Sequence, residues 1–203
     1  MRFGVLGTGV VGRTLAGKLA ELGHEVKLGS REAGEDKVTF ADAAAFAEVV
    51  VNATAGTASL EALGQAGADN LSGKLLIDVA NPLDFSGGFP PTLSVCNDES
   101  LAERIQREFP DARVVKTLNS VGAPVMVDPG CVPGDHTMFV SGDDEGAKGE
   151  AIELLGSLGW PAERVLDLGG IEAARGQEMY LPMWLRLFGV AGSPQLNIEV
   201  RTA

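Results

Sequence analysis

The chain has 203 residues, 45% of them hydrophobic, and carries a formal net charge of −12 at pH 7. This length and composition predict a globular protein of one domain, or of one domain with a small second lobe. The acidic balance argues against a nucleic-acid partner, because a phosphate backbone would be repelled and the sequence has no run of Lys or Arg to attract it.

Residues 1–29 predict a strand, a glycine turn, a helix and a second strand. Residues 2–6 form an apolar run that predicts a buried strand and is too short for a signal peptide or a membrane span. Apolar residues at helical spacing predict a helix over residues 10–22, which Gly23 ends. Residues 25–29 form the second predicted strand. We expect a cytoplasmic protein with no membrane partner.

Strands and helices alternate through most of the remaining chain. Further helices are predicted at residues 41–47, 57–67, 99–109 and 145–159. Further strands are predicted at residues 48–54, 74–81, 112–119, 137–143 and 163–169. This alternation predicts an α/β fold with a Rossmann-like, doubly wound parallel sheet. Long loops are predicted over residues 82–96 and 120–135, of which the first is either a lid or a fixed surface loop.

The C-terminal part departs from this alternation. Residues 172–192 predict a helix with a broad apolar stripe and a kink at Pro182, and residues 195–200 predict an edge strand. A stripe of this width indicates core packing or a subunit contact rather than a cofactor site, so a homodimer through this helix is one expectation. We predict a Rossmann domain over residues 1–143 and a small C-terminal α/β lobe packed on it over residues 144–203.

A few residues with reactive side chains carry little functional signal. Cys96 and Cys131 stand far apart and outside any CxxC pattern, which predicts unpaired thiols in a reducing compartment and no metal site. His24 lies at a predicted helix-to-strand turn and His136 in a loop, so neither is expected to act in catalysis. Asp78 is predicted to be a buried carboxylate with satisfied hydrogen bonds rather than a base.

Gly7, Gly9 and Gly12 form a GxGxxG motif between the first predicted strand and the first predicted helix. In this setting Gly7 permits a tight turn, Gly9 leaves room for a pyrophosphate, and Gly12 lets helix and strand pack closely. The helix N-terminus then offers free N–H groups to phosphates. The motif predicts a dinucleotide site, and the alternative is a turn that only joins the two elements.

The second predicted strand ends at Gly29, Ser30 and Arg31 rather than at an acidic residue. A carboxylate there would accept a hydrogen bond from the 2′-hydroxyl of NAD. Arg31 can instead form two charge-assisted bonds with a 2′-phosphate, Ser30 can donate one more, and Lys37 can add a point charge. We therefore predict NADP(H) as the cofactor, and the alternative is that Ser30 and Arg31 form an ordinary solvated turn.

The stretches "GTGVVGRTLAGKLAELGHEVKLGSR", "NATAG", "DVANPL" and "KTLNSVGA" resemble the coenzyme F420-dependent NADP oxidoreductase family. Members of that family pass a hydride between NADPH and an 8-hydroxy-5-deazaflavin. The same unit is similar to the cytoplasmic domain of the STEAP metalloreductases, which use NADPH and a flavin. The resemblance spans nearly the whole chain, and its motifs are more specific for NADP than for the deazaflavin.

By position, the resemblance implies which residues contact the cofactor. The pyrophosphate would lie against Thr8, Gly9, Val10 and Val11, beside Gly7 and Gly12. The 2′-phosphate would lie against Ser30, Arg31 and Lys37. The adenosine and its ribose would lie along Ala53, Thr54 and Ala55. The nicotinamide would lie near Asn81, Pro82 and Leu83. The far side of the hydride path would be lined by Asn119, Ser120, Val121 and Gly122.

The resemblance implies hydride transfer between NADPH and coenzyme F420 or a flavin. The cofactors would then supply the chemistry, so no catalytic side chain is assigned. Two alternatives stay open: an NADPH-dependent reductase of a small organic substrate, as the pyrroline-carboxylate reductases are, and an NADP(H)-binding sensor without catalysis. The first is disfavoured because those reductases carry a long helical dimerisation domain and this chain has a single helix there.

Overall fold

A computed structural model describes residues 1–202 of the chain. Its strands are β1 (Arg2–Leu6), β2 (Glu25–Ser30), β3 (Val38–Thr39), β4 (Val49–Asn52), β5 (Leu75–Asp78), β6 (Leu83–Asp84), β7 (Thr92–Leu93), β8 (Arg113–Thr117), β9 (Met138–Ser141) and β10 (Val165–Asp167). Its helices are α1 (Val10–Glu21), α2 (Phe40–Phe46), α3 (Ser59–Ala66), α4 (Ala68–Leu71), α5 (Leu101–Glu108), α6 (Ala123–Val127), α7 (Glu145–Ser157), α8 (Ala174–Met179) and α9 (Leu181–Ala191).

The main sheet has the strand order β10-β9-β8-β5-β4-β1-β2-β3. Helices cover both of its faces, which confirms the predicted α/β fold with a Rossmann-like, doubly wound sheet. β6 and β7 pair antiparallel as a separate hairpin inside the loop predicted over residues 82–96. The loop predicted over residues 120–135 contains α6 and a short 3₁₀ turn, Pro129–Cys131.

At one edge of the sheet the strand directions differ from the prediction. β9 is antiparallel to β8, and β10 is parallel to β9, whereas parallel strands were predicted throughout. The reason lies in the connection after β8, whose helix α6 packs against α1. The chain stays at the carboxyl edge of the sheet there and enters β9 from that edge. A parallel strand would need a crossover that returns to the opposite edge.

β4 shows why the inner strands appear in the sequence as continuous apolar runs. Val49 and Val51 face the core on the side of α1 and α7, and Val50 faces the core on the side of α2, α3 and α5. Every residue of β4 is buried. A strand covered by helices on both faces has no polar side to alternate with its apolar side.

The helix predicted over residues 172–192 is divided in the structure. It consists of α8 and α9, which meet at Tyr180. Pro182 lies in the first turn of α9, where its missing N–H costs no intrahelical hydrogen bond. The proline therefore marks the start of a new helix rather than a bend within one.

The prediction of a strand over residues 195–200 is wrong, because this segment is irregular. The backbone N–H of Thr137 donates to the Ile198 carbonyl at 2.9 Å. The next bond, from the backbone N–H of Val200, goes to the Thr137 hydroxyl at 3.0 Å. Because a side chain and not a backbone carbonyl accepts that bond, no strand ladder forms.

The main sheet extends past residue 143, where the sequence analysis divides the chain. β10 is an edge strand of this sheet, and α7 packs against β5, β8 and β9. The division into residues 1–143 and 144–203 stays a prediction. Within the described part of the chain, every helix is too short or too polar to cross a membrane.

Candidate functional site

The turn between β1 and α1 depends on the three glycines of the GxGxxG motif. Gly7 has a φ of +115°, in the left-handed region that favours glycine. A Cβ atom on Gly12 would lie 2.0 Å from the carbonyl oxygen of Gly7, so a side chain there would force α1 away from β1. A Cβ atom on Gly9 would meet nothing within 4 Å. The backbone at Gly9 is therefore open to a ligand.

The N-terminus of α1 at this turn is suited to an anion. Gly9 is its N-cap, no side chain caps it, and its first turn contains no acidic residue. The free N–H groups and the helix dipole both favour negative charge at such a position.

Beside the turn lies a cavity of about 410 Å³, which we call the basic cavity. It is lined by Gly7, Thr8, Ser30, Arg31, Glu32, Lys37, Phe40, Thr54, Ala58, Glu61 and Ala62. The lining also includes the carboxylates of Glu32 and Glu61. Within residues 1–202, neither Arg31 nor Lys37 forms an ion pair with these or with any other acidic residue, so both cations are available to an anion. Ser30 differs from them, because its hydroxyl donates to the Glu32 carbonyl.

A neighbouring ion pair occupies the acidic residue next to Lys37. Asp36, next to Lys37 in sequence, pairs with Arg13 at 2.7 Å. Nε of Arg13 also donates to the Thr8 carbonyl at 3.2 Å, which ties the loop after β2 to the glycine turn. The hydrogen bond from Arg13 and its positive charge hold the pKa of Asp36 below its ordinary value. Asp36 is therefore ionised and already neutralised by a residue outside the basic cavity.

A second cavity, of about 640 Å³, follows along the carboxyl edge of the sheet, and we call it the apolar cleft. It is lined by Val10, Val11, Ala53, Thr54, Ala55, Gly56, Thr57, Val79, Ala80, Asn81, Leu83, Asp84, Phe85, Asn119, Val121, Gly122, Ala123, Pro124, Met126, Leu181, Trp184 and Pro194. Thr54 also lines the basic cavity, so the two cavities adjoin. These lining residues include no Lys, Arg or His, and Asp84 is the one acidic residue among them.

Most of the residues predicted to contact a cofactor line one of these two cavities. Gly9, Gly12, Pro82 and Ser120 do not. The two glycines contribute by having no side chain: Gly9 leaves the backbone open, and Gly12 lets α1 pack closely on the turn. Pro82 and Ser120 are buried behind their lining neighbours, and the Ser120 hydroxyl has no hydrogen-bond partner in the described part of the chain. The binding roles of all these residues stay predictions.

The cleft also contains residues that the sequence analysis did not single out, among them Phe85, Met126, Leu181, Trp184 and Pro194. Trp184 belongs to the apolar stripe noted in the sequence, but the stripe alone does not show which part of the fold it covers. Pro194 reaches the cleft because it packs on Gly122, where a Cβ atom would lie 2.6 Å from its carbonyl oxygen.

A buried ionic group lies beneath the cleft. Asp78 is fully buried and accepts hydrogen bonds from Nδ2 of Asn52 and Nζ of Lys116, both at 2.8 Å. Lys116 also pairs with Glu178 of α8 at 2.8 Å. Asp78 is thus a satisfied structural carboxylate. No pattern in the sequence marks Lys116 or Glu178 as its partners.

The remaining candidates lie away from both cavities. The His24 ring packs against Phe3, with the ring centres 5.0 Å apart. Nε2 of His136 lies 3.0 Å from the Pro129 carbonyl, to which it donates, and Nδ1 accepts from Asn197 at 3.0 Å. Cys96 and Cys131 are free thiols, as predicted.

Doubly wound sheets bind dinucleotides where the first strand turns into the first helix, and in this chain the basic cavity opens beside that turn. The fold and the site therefore define a dinucleotide-binding protein of the Rossmann class. Residues 2–82 match the family model described as NADP oxidoreductase, coenzyme F420-dependent. The chain is 32% identical over 210 residues to the F420-dependent NADP reductase of Methanothermobacter marburgensis, over 92% of each chain. It belongs to the F420-dependent NADP oxidoreductase family, as the sequence motifs predicted.

Two further proteins are similar to this chain. The crystal structure of a candidate F420-dependent NADP-reductase from Arthrobacter sp. FB24 is similar over 100% of both chains, with 52% identity and a TM-score of 0.95. Metalloreductase STEAP3 of Rattus norvegicus is 29% identical over 195 residues, which is 90% of this chain but 38% of that protein. The chain thus spans well under half the length of STEAP3. Its family is one of NADP-dependent oxidoreductases, and the chain is assigned to that class of enzyme.

Proposed function

We propose that the protein transfers a hydride between NADPH and a deazaflavin such as coenzyme F420, or a flavin. The observation that carries this proposal is that Thr54 lines both the basic cavity and the apolar cleft. A dinucleotide laid along the carboxyl edge of the sheet would place its adenosine end in one cavity and its nicotinamide end in the other. The volume of the cleft is typical of a small-molecule site.

The adenosine end is proposed to be held by charge. Arg31 and Lys37, the unpaired cations of the basic cavity, fit a 2′-phosphate, and Arg31 can donate two parallel hydrogen bonds to it. Ser30 would hold the turn that carries Arg31, since its hydroxyl proton is donated to Glu32. The pyrophosphate would lie over Gly9 at the N-terminus of α1, where the backbone is open.

The nicotinamide end is proposed to enter the apolar cleft. When bound, NADPH supplies the hydride and the second ring accepts it. Apolar side chains such as Val79, Leu181 and Trp184 would exclude water from the space between the rings, and the rigid walls would hold the rings in contact. Asn81 and Asn119 supply the polar groups on the sheet side of the cleft.

The family supports a candidate for the second ring. The relative in Methanothermobacter marburgensis is an F420-dependent NADP reductase, which supports a deazaflavin as the acceptor. STEAP3, a metalloreductase, shows that this sequence pattern also occurs in a protein of a different activity. We therefore keep the flavins as acceptors to be tested beside coenzyme F420.

We also propose that α9 mediates a homodimer. Val190 is 91% exposed, Met183 59% and Leu187 37%, and they form an apolar surface on this helix. Light scattering is expected to give twice the mass of one 21.1 kDa chain. Val190→Glu should shift the mass toward that of one chain, and a wild-type monomer at micromolar concentration would remove this proposal.

The test of the proposed reaction follows the acceptor directly. The protein is mixed with NADPH and, in turn, with oxidised coenzyme F420, FMN and FAD, while the visible absorbance of the acceptor is recorded against a heat-inactivated sample. Loss of that absorbance supports hydride transfer. Tight NADPH binding without reduction of any of these acceptors favours an NADP(H)-binding sensor. NADPH oxidation only with a small imine or ketone favours a reductase of organic substrates.

A further inference from the structure

Two asparagine side chains that line the apolar cleft are joined by hydrogen bonds. Nδ2 of Asn81 donates to the backbone carbonyl of Asn119 at 2.8 Å. Nδ2 of Asn119 donates to Oδ1 of Asn81 at 2.9 Å. Each amide group can form more bonds than this. Asn81 keeps one N–H and one oxygen lone pair without a partner in the described part of the chain.

The backbone before Asn119 adopts an unusual conformation at this point. β8 ends at Thr117, and Leu118 then has a φ of +61°, in a region that residues other than glycine rarely adopt. Such strain persists where the surrounding structure enforces it, and it is concentrated at functional sites. Asn119, which forms the hydrogen bonds with Asn81, directly follows Leu118 in the chain.

The backbone carbonyls show which atom of each asparagine amide is the nitrogen. A carbonyl only accepts hydrogen bonds, so the nitrogen of Asn81 must face the carbonyl of Asn119. The nitrogen of Asn119 must likewise face the carbonyl of Gln177, at 3.2 Å. The atom of Asn81 that faces Nδ2 of Asn119 is therefore the oxygen. The remaining N–H and oxygen lone pair of the Asn81 amide thus have defined positions.

Gln177 of α8 lies behind this pair and is 3% exposed. Its Nε2 faces the backbone carbonyls of Lys116 and Phe139 at 3.3 and 3.4 Å, and Oδ1 of Asn119 at 3.4 Å. Its Oε1 accepts from the hydroxyl of Ser141 at 2.5 Å. The side chain thus spans the end of the sheet and ends on the amide that orients Asn81.

The position of Gln177 is itself fixed by its neighbour Glu178. The Glu178 carboxylate accepts from the backbone N–H groups of Leu101 and Ala102 at the start of α5, at 2.8 and 3.2 Å. The same carboxylate pairs with Lys116 of β8 at 2.8 Å. α8 is therefore fastened to the sheet and to α5, and Gln177 has little freedom to move.

We propose that Gln177 is a positioning residue. Acting through Asn119, it holds the side-chain amide of Asn81 in the orientation in which its unused N–H and oxygen recognise the carboxamide group of the nicotinamide ring. An amide offers one donor and one acceptor in a plane, which is the complement of a carboxamide. The assignment rests on the proposed function, since it requires a nicotinamide in the apolar cleft.

The test compares the dissociation constant of NADP with that of its 3-acetylpyridine analogue, in which a methyl ketone replaces the carboxamide. Tryptophan fluorescence reports binding without any acceptor. The wild type is expected to bind NADP about tenfold more tightly, the effect of one hydrogen bond. Gln177→Met and Asn81→Ala should each reduce this preference to about twofold or less, and the double variant should lose no more than either single variant.

Ser141→Ala is the matched control. It removes the buried bond to Oε1 of the Gln177 amide but leaves Nε2 of that amide facing the carbonyls of Lys116 and Phe139. A merely structural role for Gln177 predicts that both variants lower the melting temperature and neither changes the preference for NADP. Our proposal predicts that Ser141→Ala keeps the preference and Gln177→Met loses it.

The outcomes separate this proposal from the proposed reaction. A preference for NADP that survives in Asn81→Ala overturns the role of the amide, whether or not Gln177→Met folds, and leaves the hydride-transfer proposal standing. Failure of every acceptor to be reduced overturns that reaction, while the binding comparison still decides the role of Gln177. If NADP does not bind at all, both proposals are wrong.

Discussion

Nζ of Lys116 lies 2.8 Å from a carboxylate oxygen of Glu178, and neither side chain is more than 1% exposed. Asp78, also fully buried, lies 2.8 Å from the same ammonium group. Burial lowers the pKa of Lys116, but the charges of Asp78 and Glu178 and their hydrogen bonds outweigh burial and raise it above its ordinary value. The lysine is therefore charged, and it joins β5, β8 and α8 beneath the apolar cleft.

Replacing this lysine should cost the protein much of its stability. Lys116→Met is expected to lower the free energy of unfolding by about 3 to 5 kcal/mol, because two carboxylates would stay buried without their cation. Urea denaturation measures the loss. Lys148→Met is the control: Lys148 is also nearly buried and pairs with two carboxylates, but those of Glu145 and Asp167 are 84% and 40% exposed. Water can solvate them, so a loss of about 1 kcal/mol or less is expected there. Equal losses would contradict the argument.

The Lys116 group also shows where sequence analysis reaches its limit. "ARVVKTLN" predicts a strand correctly, because its valines are buried on a sheet that helices cover on both faces. Whether a lysine inside such a strand points to water or to carboxylates depends on which strands and helices become its neighbours. Glu178 comes from a helix far along the chain, and no local pattern links it to Lys116.

The candidate site divides in the same way. The glycine turn and the end of β2 were predictable, because local backbone geometry and the charge at one strand end limit what can bind there. The direction of β9 was not, because it depends on α6 packing against α1. The contribution of Trp184 and Pro194 to the cleft also depends on long-range packing of the C-terminal region, which the apolar stripe does not specify.

The glycines of the turn should separate binding from folding. Gly12→Ala is expected to lower the free energy of unfolding by about 3 kcal/mol or more, since its Cβ would overlap the carbonyl oxygen of Gly7. Gly9→Ala should leave the melting temperature nearly unchanged, because its Cβ meets open space, yet weaken NADPH binding by about tenfold or more where the pyrophosphate approaches. Thermal denaturation and fluorescence titration measure the two effects. A Gly9→Ala variant with unchanged affinity would show that no pyrophosphate lies there.

Arg31 should determine the preference for NADPH over NADH. Arg31→Ala is expected to weaken NADPH binding by about 10- to 100-fold, the effect of losing charge-assisted hydrogen bonds of roughly 1.5 to 3 kcal/mol. NADH binding should change by about twofold or less, because NADH lacks the 2′-phosphate. Arg107→Ala removes the same charge from the exposed surface of α5, away from both cavities, and should alter neither affinity. If Arg31→Ala weakens both nucleotides equally, the arginine does not read the 2′-phosphate.

Glu103 should make the attachment of α8 to α5 sensitive to acid. Its carboxylate pairs with Arg175 of α8 and bonds to the hydroxyl and backbone N–H of Ser100 at the start of α5. The hydrogen bond from Arg175 is the main cause that lowers the pKa of Glu103 below its ordinary 4.5. A lowered pKa stabilises the fold above the unfolded-state value, so this contribution is complete above about pH 4.5 and is lost as the pH falls below it.

Glu103→Gln is expected to cost about 1 to 2 kcal/mol at pH 7, and the difference from wild type should shrink in urea denaturation below pH 4.5. Glu108→Gln, an exposed change on the same helix, should alter stability by about 0.5 kcal/mol or less at either pH. A difference for Glu103→Gln that stays constant down to pH 3 would show that the ionised carboxylate does not fasten α8 to α5.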